Sequence, residues 1–186
     1  MKRSAIGWTM GFIFLSAFLF MFTDISYAKL AAEIDANVDN ALELFKTKVF
    51  EGKNVLQKAK GVLVFPKVYK GGIGLGAEYG VGALRVNGKT VDYYNTITGS
   101  FGFQLGGQVK SVYLLFMDDR ILKDFRASEG WKAGVDGSVA LITVGVDGSV
   151  DTFKTDQPIV AYVLDQKGLM YNLTLEGSKF NKIRTY

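Results

Sequence analysis

Apolar residues recur at three- and four-residue steps from Leu30 through Ile34, Val38, Ala41, Leu42 and Phe45 to Val49, with polar residues between them. That period predicts an amphipathic helix from Lys29 to Phe50, ended by Gly52. VLQKAK (55–60) predicts a short second helix before Gly61. The period then changes to two. VLVFPKV (62–68) reads as a strand with Pro66 at an edge or bend, and YKGGIGLGAEYGVGALRV (69–86) alternates, with glycine at 72, 74, 76, 80 and 82. Asn87-Gly88, between LRV and TVDYY, carries the signature of a type I′ hairpin turn. Further strands are expected at 90–97, 100–108 and 110–116. Asp118 and Asp119 precede RILKDFRAS, whose Ile121, Leu122 and Phe125 share one helical face, so an acidic N-cap opens a short helix there.

Beyond Gly130 the chain is again strand-like, in WKAGVDGSVALITV, GVDGSVDTF, PIVAYVL and GLMYNLTL. GVDGSV occurs at 134–139 and 145–150, which indicates similar turn chemistry used twice and not a repeat array. The pattern gives α+β: a strongly curved antiparallel sheet or partial barrel, a long N-terminal amphipathic helix, and one or two short helices packed on it. Successive strand side chains point to opposite faces, so the glycines between 72 and 82 leave one face bare while Ile73, Leu75, Val81 and Ala83 fill the other. A bare face invites close approach, and the expectation is that the N-terminal helix presses onto it.

Composition changes the picture at the N-terminus. Lys2 and Arg3, an apolar run from Ala5 to Phe22, and Ser26-Tyr27-Ala28 fit an export signal over residues 1–28, leaving one domain over 29–186. The competing reading of that run is an uncleaved anchor. The expected location is periplasmic or peripheral to the envelope membrane, or N-terminally anchored. No cysteine is present, so a disulfide scaffold is excluded.

Charge is unevenly distributed. Residues 46–70 carry Lys46, Lys48, Lys53, Lys58, Lys60, Lys67 and Lys70 against Glu51 alone, whereas 29–45 are acidic. Such a patch attracts an anionic membrane at about 1 kcal/mol per lysine that reaches it. Tight binding would also need an apolar side chain to insert, with Phe45, Val49 and Phe50 as candidates. The plainer reading is that the helix stripe is core and the lysines are a solvated rim. Nucleic acid is not expected for an exported chain, despite a pI near 9.1.

Catalysis has little to work with. The chain lacks His and Cys, so the common nucleophile–base pairs and most zinc sites cannot be built. Asp118 and Asp119 are explained by a helix cap, and Asp136 and Asp147 by D-G turns. Gly72-Ile73-Gly74-Leu75-Gly76-Ala77 matches a dinucleotide fingerprint, but a strand follows it where a helix is required. Gly88-Lys89-Thr90 imitates the end of a Walker motif, yet Ala83 stands where its first glycine belongs. No catalytic residue, metal ligand or cofactor is expected. Tyr69, Tyr79, Tyr93 and Tyr94 read as sheet packing.

Three blocks carry a family resemblance: AKGVLVFPKVYKGGIGLGAEYGVGAL (59–84), SVYLLFMDDRILKDF (111–125) and IVAYVLDQKGLMYNLTLEGS (159–178). Taken together they resemble the SYLF family of lipid-binding domains, from about Ala41 onward. The resemblance implies a non-catalytic domain that binds membrane lipid, phosphoinositides in eukaryotic relatives, through an amphipathic helix and basic residues near its N-terminus. Several eukaryotic members also bind actin. This chain has an export-type leader and no SH3 or FYVE module, so anionic bacterial phospholipid is the expected ligand and actin is not. The alternative is an envelope protein–protein interaction or structural module with no lipid ligand.

Overall fold

Two very long strands dominate the chain: β1 (Gly61–Val86) and β2 (Lys89–Phe116) pair antiparallel along nearly their whole length, from Gly61 opposite Phe116 to Val86 opposite Lys89. The computed structural model describes residues 29–144, 157–168 and 175–183. Residues Ile34–Ile183 form one compact unit; of the other, residues 1–33 and 184–186, only 29–33 are described, and they are helical. The export signal expected at 1–28 and the second GVDGSV lie outside the described residues.

The turn of this ribbon is Asn87-Gly88, both at positive φ (51° and 76°), as a type I′ turn demands. Glycine clusters midway along both strands, with Gly71 opposite Gly107 and Gly72 opposite Gly106. There the ribbon bends, and its distal half folds over its proximal half. A Cβ on Gly82 would overlap the Val64 carbonyl oxygen, and one on Gly80 would lie 2.9 Å from the Lys67 carbonyl oxygen and from Val68. Both ends of one strand therefore meet across the glycine face. That face is concave, and what presses on its glycines is β1 itself, not the N-terminal helix as the sequence suggested.

From Ile34 onward the helix α1 (residues 29–48) lies on the opposite, convex face. Its Ile34, Val38, Ala41 and Phe45, followed by Val49, form one buried cluster with Val62, Val64, Ala83, Tyr113, Leu115 and Tyr162. The Phe45 ring meets Tyr113 and Tyr162 at 4.9 and 5.0 Å between centroids. Polar bonds fix the helix in register. Asp35 accepts from the Thr90 hydroxyl at 2.6 Å and the Tyr93 hydroxyl at 2.9 Å, Arg85 bonds Asp39 at 2.6 Å, and the Tyr113 hydroxyl donates to the Ala41 carbonyl at 2.9 Å. Burial, and next the bond to Asp35, push the Tyr93 phenol up to about 12. A short helix, α2 (Gly52–Lys58), follows at once.

The concave side is filled by α3 (Asp119–Ala127), whose Leu122 and Phe125 join a second cluster with Leu63, Phe65, Leu84, Leu114 and Phe116. Phe125 sits among Phe116 (4.7 Å), Tyr94 (5.0 Å) and Trp131 (5.6 Å). As expected, Asp118 caps α3: its carboxylate accepts from the N–H groups of Arg120 and Ile121, which stabilise the charged form and hold its pKa below the usual carboxylate range.

Among the described residues, four shorter strands join the sheet: β3 (Gly130–Lys132), β4 (Ala140–Thr143), β5 (Ile159–Gly168) and β6 (Lys179–Ile183). The order is β3-β6-β2-β5-β4, with β1 on β2. The class is α+β with a half-barrel sheet, as expected, but the sheet is mixed, because β4 runs parallel to β5. The residues between Thr143 and Ile159 give the crossover length that a parallel pair requires. The three strands expected across 90–116 are one, because glycine bends a ladder without removing its donors. Strand β6 was not anticipated. The first GVDGSV is a turn in which Asp136 accepts from the Lys132 N–H at 2.6 Å.

Candidate functional site

The lysines of 46–70 separate into three groups. Lys46, Lys48, Lys53, Lys58 and Lys60 lie on or beside the corner where α1 passes into α2. Lys67 is exposed on β1, beside a groove with Asn37, Asn40 and Leu44. Lys70 is buried.

At the corner, Val49 ends the buried stripe and Phe50 turns outward, 68% exposed. Glu51 makes the turn with φ 53°, a left-handed conformation unusual for a residue with a side chain. Gly52 then enters α2 so close to α1 that a Cβ would sit 2.7 Å from the Phe45 carbonyl oxygen. This tight corner leaves Phe50 nowhere inward to go. Of the three apolar residues considered for insertion, Phe45 and Val49 are core, at 0% and 3% exposure, and only Phe50 is available.

Electrostatics thin the patch. Lys46 pairs with Glu43 at 2.6 Å, and Lys60 stands 3.8 Å from Asp119. Lys53, Lys58 and Lys67 have no carboxylate partner among the described residues. Among those residues too, no helix is long and apolar enough to cross a membrane, and no group of three or more acidic side chains could hold a metal ion.

A cleft of about 330 Å³ opens beside the corner, between α1, α2 and the hairpin tip. Its walls include Leu42, Leu56 and Val62, with Lys46, Lys60 and Arg85 around them and Asn87-Gly88 at one end. Arg85 was not singled out in the sequence. Its side chain is only 12% exposed, one guanidinium nitrogen is held by Asp39 and Asp35, and Nε is buried without a partner. The hairpin signal places Arg85 next to the turn, but nothing local says that α1 lies over it.

Lys70 belongs to a buried ionic group on the concave face. Glu78 Oε1 lies 3.3 Å from Lys70 Nζ, and Glu78 Oε2 lies 2.8 Å from Lys110 Nζ, which is close but off the hydrogen-bond direction. Beside them Gln108 is 2% exposed, and neither end of its amide has a partner. Lys70 cannot meet a surface headgroup from there. Tyr93 serves the α1 clamp and Tyr94 the core, whereas Tyr69 and Tyr79 are half exposed on the sheet.

Compared with known families, residues 97–184 match the model described as Ysc84, Las17-binding protein actin regulator. A search of curated proteins finds no match. The matched segment begins within β2 and includes α3 and β3 to β6, so it excludes the helix corner and the glycine block at 59–84.

Proposed function

The chain carries a Ysc84 (SYLF) family domain over residues 97–184, and on that premise we propose that it is a non-catalytic lipid-binding domain of the bacterial envelope, docking peripherally on anionic phospholipid through the α1–α2 corner. The observation that carries the reading is Phe50: a large apolar side chain held outward by a strained backbone, with Lys48 and Lys53 on either side of it. Neither component suffices alone. Lys53 and Lys58, the unpaired lysines of α2, supply about 2 kcal/mol if both reach the surface. Inserting Phe50 adds about 2 kcal/mol. Together they give a weak, salt-sensitive association of about millimolar strength, to which Lys46, Lys48 and Lys60 add less, being partnered already.

Lys67 contributes by long-range attraction and Lys70 not at all. The export signal, and with it the periplasmic or envelope location, belongs to this proposal. The rival reading, a protein-docking module, draws on Tyr79 and Ile97, which pair across β1 and β2 and are 51% and 48% exposed. Pelleting with vesicles separates the two. The lipid reading expects the chain to sediment with phosphatidylglycerol vesicles at low salt, to be released by raised salt, and to ignore phosphatidylcholine. Equal behaviour with both vesicles favours protein docking.

A further inference from the structure

We propose that the cleft between α1, α2 and the hairpin tip is a saturable site for one phosphate ester, so that the corner recognises an individual headgroup and is not only drawn to a charged surface. Where that ester is a phospholipid headgroup, the inference rests on the membrane reading above.

Three cationic side chains from three separate elements converge on the cleft: Lys46 from α1, Lys60 from the segment after α2, and Arg85 from the end of β1. Among the described residues, no carboxylate lines it. The acidic partners, Glu43 for Lys46, Asp119 for Lys60, and Asp35 with Asp39 for Arg85, stand outside the lining. They hold the cations from outside and leave the space open. The Arg85 guanidinium is fixed by these bonds and by the Asp35 carbonyl at 3.2 Å, while its Nε keeps an unused donor. Asn87 and Gly88 close one end of the cleft, and as the two turn residues they stand outside the β1–β2 ladder.

Phosphate suits this arrangement better than carboxylate. It presents oxygens in several directions and up to two charges, matching donors that approach from different sides. Leu42, Leu56 and Val62 supply an apolar wall for the carbon side of an ester, which inorganic phosphate cannot use. The exposed pairs Lys46–Glu43 and Lys60–Asp119 are weak, so both ammonium groups are free to turn inward.

The test titrates the full chain with glycerol 1-phosphate, and separately with inorganic phosphate, while following backbone amide resonances. Saturable shifts are expected at Gly61, Asn87 and Gly88, with inorganic phosphate binding several-fold more weakly. K46Q/K60Q, a change at two partly exposed side chains, is expected to weaken binding at least tenfold. K132Q/K179Q, exposed lysines paired across β3 and β6 and outside the cleft, is expected to stay within twofold, and circular dichroism checks that both variants are folded. Absence of saturable shifts, or equal weakening by the two variants, overturns the site.

Displacement of the chain from phosphatidylglycerol vesicles by glycerol 1-phosphate supports a lipid source for the ester. Saturable binding without any vesicle association also supports the cleft, as a site for a soluble phosphate ester, and removes the membrane reading. Vesicle binding that K46Q/K60Q leaves intact, with no titration by the soluble ester, overturns the cleft and leaves the membrane reading standing.

Discussion

Glu78 and Lys110 come from opposite halves of the folded β1–β2 ribbon, yet Glu78 Oε2 lies 2.8 Å from Lys110 Nζ, with both side chains nearly inaccessible to water. The pair, with Lys70 on the other carboxylate oxygen, latches the bend from inside. Removing one partner leaves a buried charge uncompensated, so Glu78→Ala is expected to cost about 3 to 5 kcal/mol in urea unfolding. Replacing Glu78 by Leu together with both Lys70 and Lys110 by Met should recover most of the loss, because an apolar trio of similar volume leaves no buried charge behind and avoids the desolvation penalty.

Two kinds of glycine are distinguished by what surrounds them. Gly82 faces the Val64 backbone, where a methyl group has no room, so Gly82→Ala is expected to destabilise by about 3 kcal/mol. Gly99 has nothing within 4 Å of an added Cβ and no positive φ, so Gly99→Ala should change stability by about 0.5 kcal/mol and toward greater stability. Thermal melting of the two variants checks the contrast.

The Tyr93–Asp35 bond makes stability depend on alkali. The phenol ionises at about 12 in the folded chain and at 10.0 ordinarily, so the neutral form is favoured by folding. Its contribution is fully present below pH 10 and is lost as pH rises from there through about 12. Tyr93→Phe should therefore be less stable than the parent near neutrality, with the difference shrinking over that window. Unfolding midpoints measured between pH 9 and 11.5 test this. Tyr94 and Tyr162, also shifted upward by burial, remain in both proteins and cancel in the comparison.

Phe50 is expected to matter for binding and not for folding. Phe50→Ala should leave the melting temperature within about 1 °C, since the ring touches solvent, while lowering the fraction pelleted with anionic vesicles several-fold. Val49→Ala should do the reverse, losing about 1 to 2 kcal/mol of stability from the core.

Local patterns carried most of the fold. The stripe from Ile34 to Val49, the Asn87-Gly88 turn and the Asp118 cap are written in adjacent residues, and each appears where its chemistry places it. Contacts made by the folded ribbon were hidden. Glycines at 71–76 were conspicuous, but their partners at 99–107 become meaningful only when the register sets Gly71 against Gly107 and Gly72 against Gly106. The same fold-back hid the site. Lys70 is fifth in a run that reads as surface from Lys53 on, and it is drawn inside by Glu78, eight residues further along. Arg85 enters the cleft only because α1 returns over the hairpin tip, a contact fifty residues apart in sequence. Strand β6, with exposed Lys179 and Lys182 flanking buried Phe180, is too short and too polar to announce itself.

Docking by the helix corner is tested most directly by depth. The chain has no cysteine, so Phe50→Cys and Val135→Cys each accept a single nitroxide, the latter at a site 70% exposed on the turn after β3. Power saturation on phosphatidylglycerol vesicles, comparing a lipid-soluble with a water-soluble relaxant, reports which label leaves water. The label at position 50 should lie below the phosphate plane and the one at 135 should stay aqueous, with both aqueous on phosphatidylcholine. A label at 50 that remains fully aqueous on anionic vesicles to which the chain is bound would contradict the account.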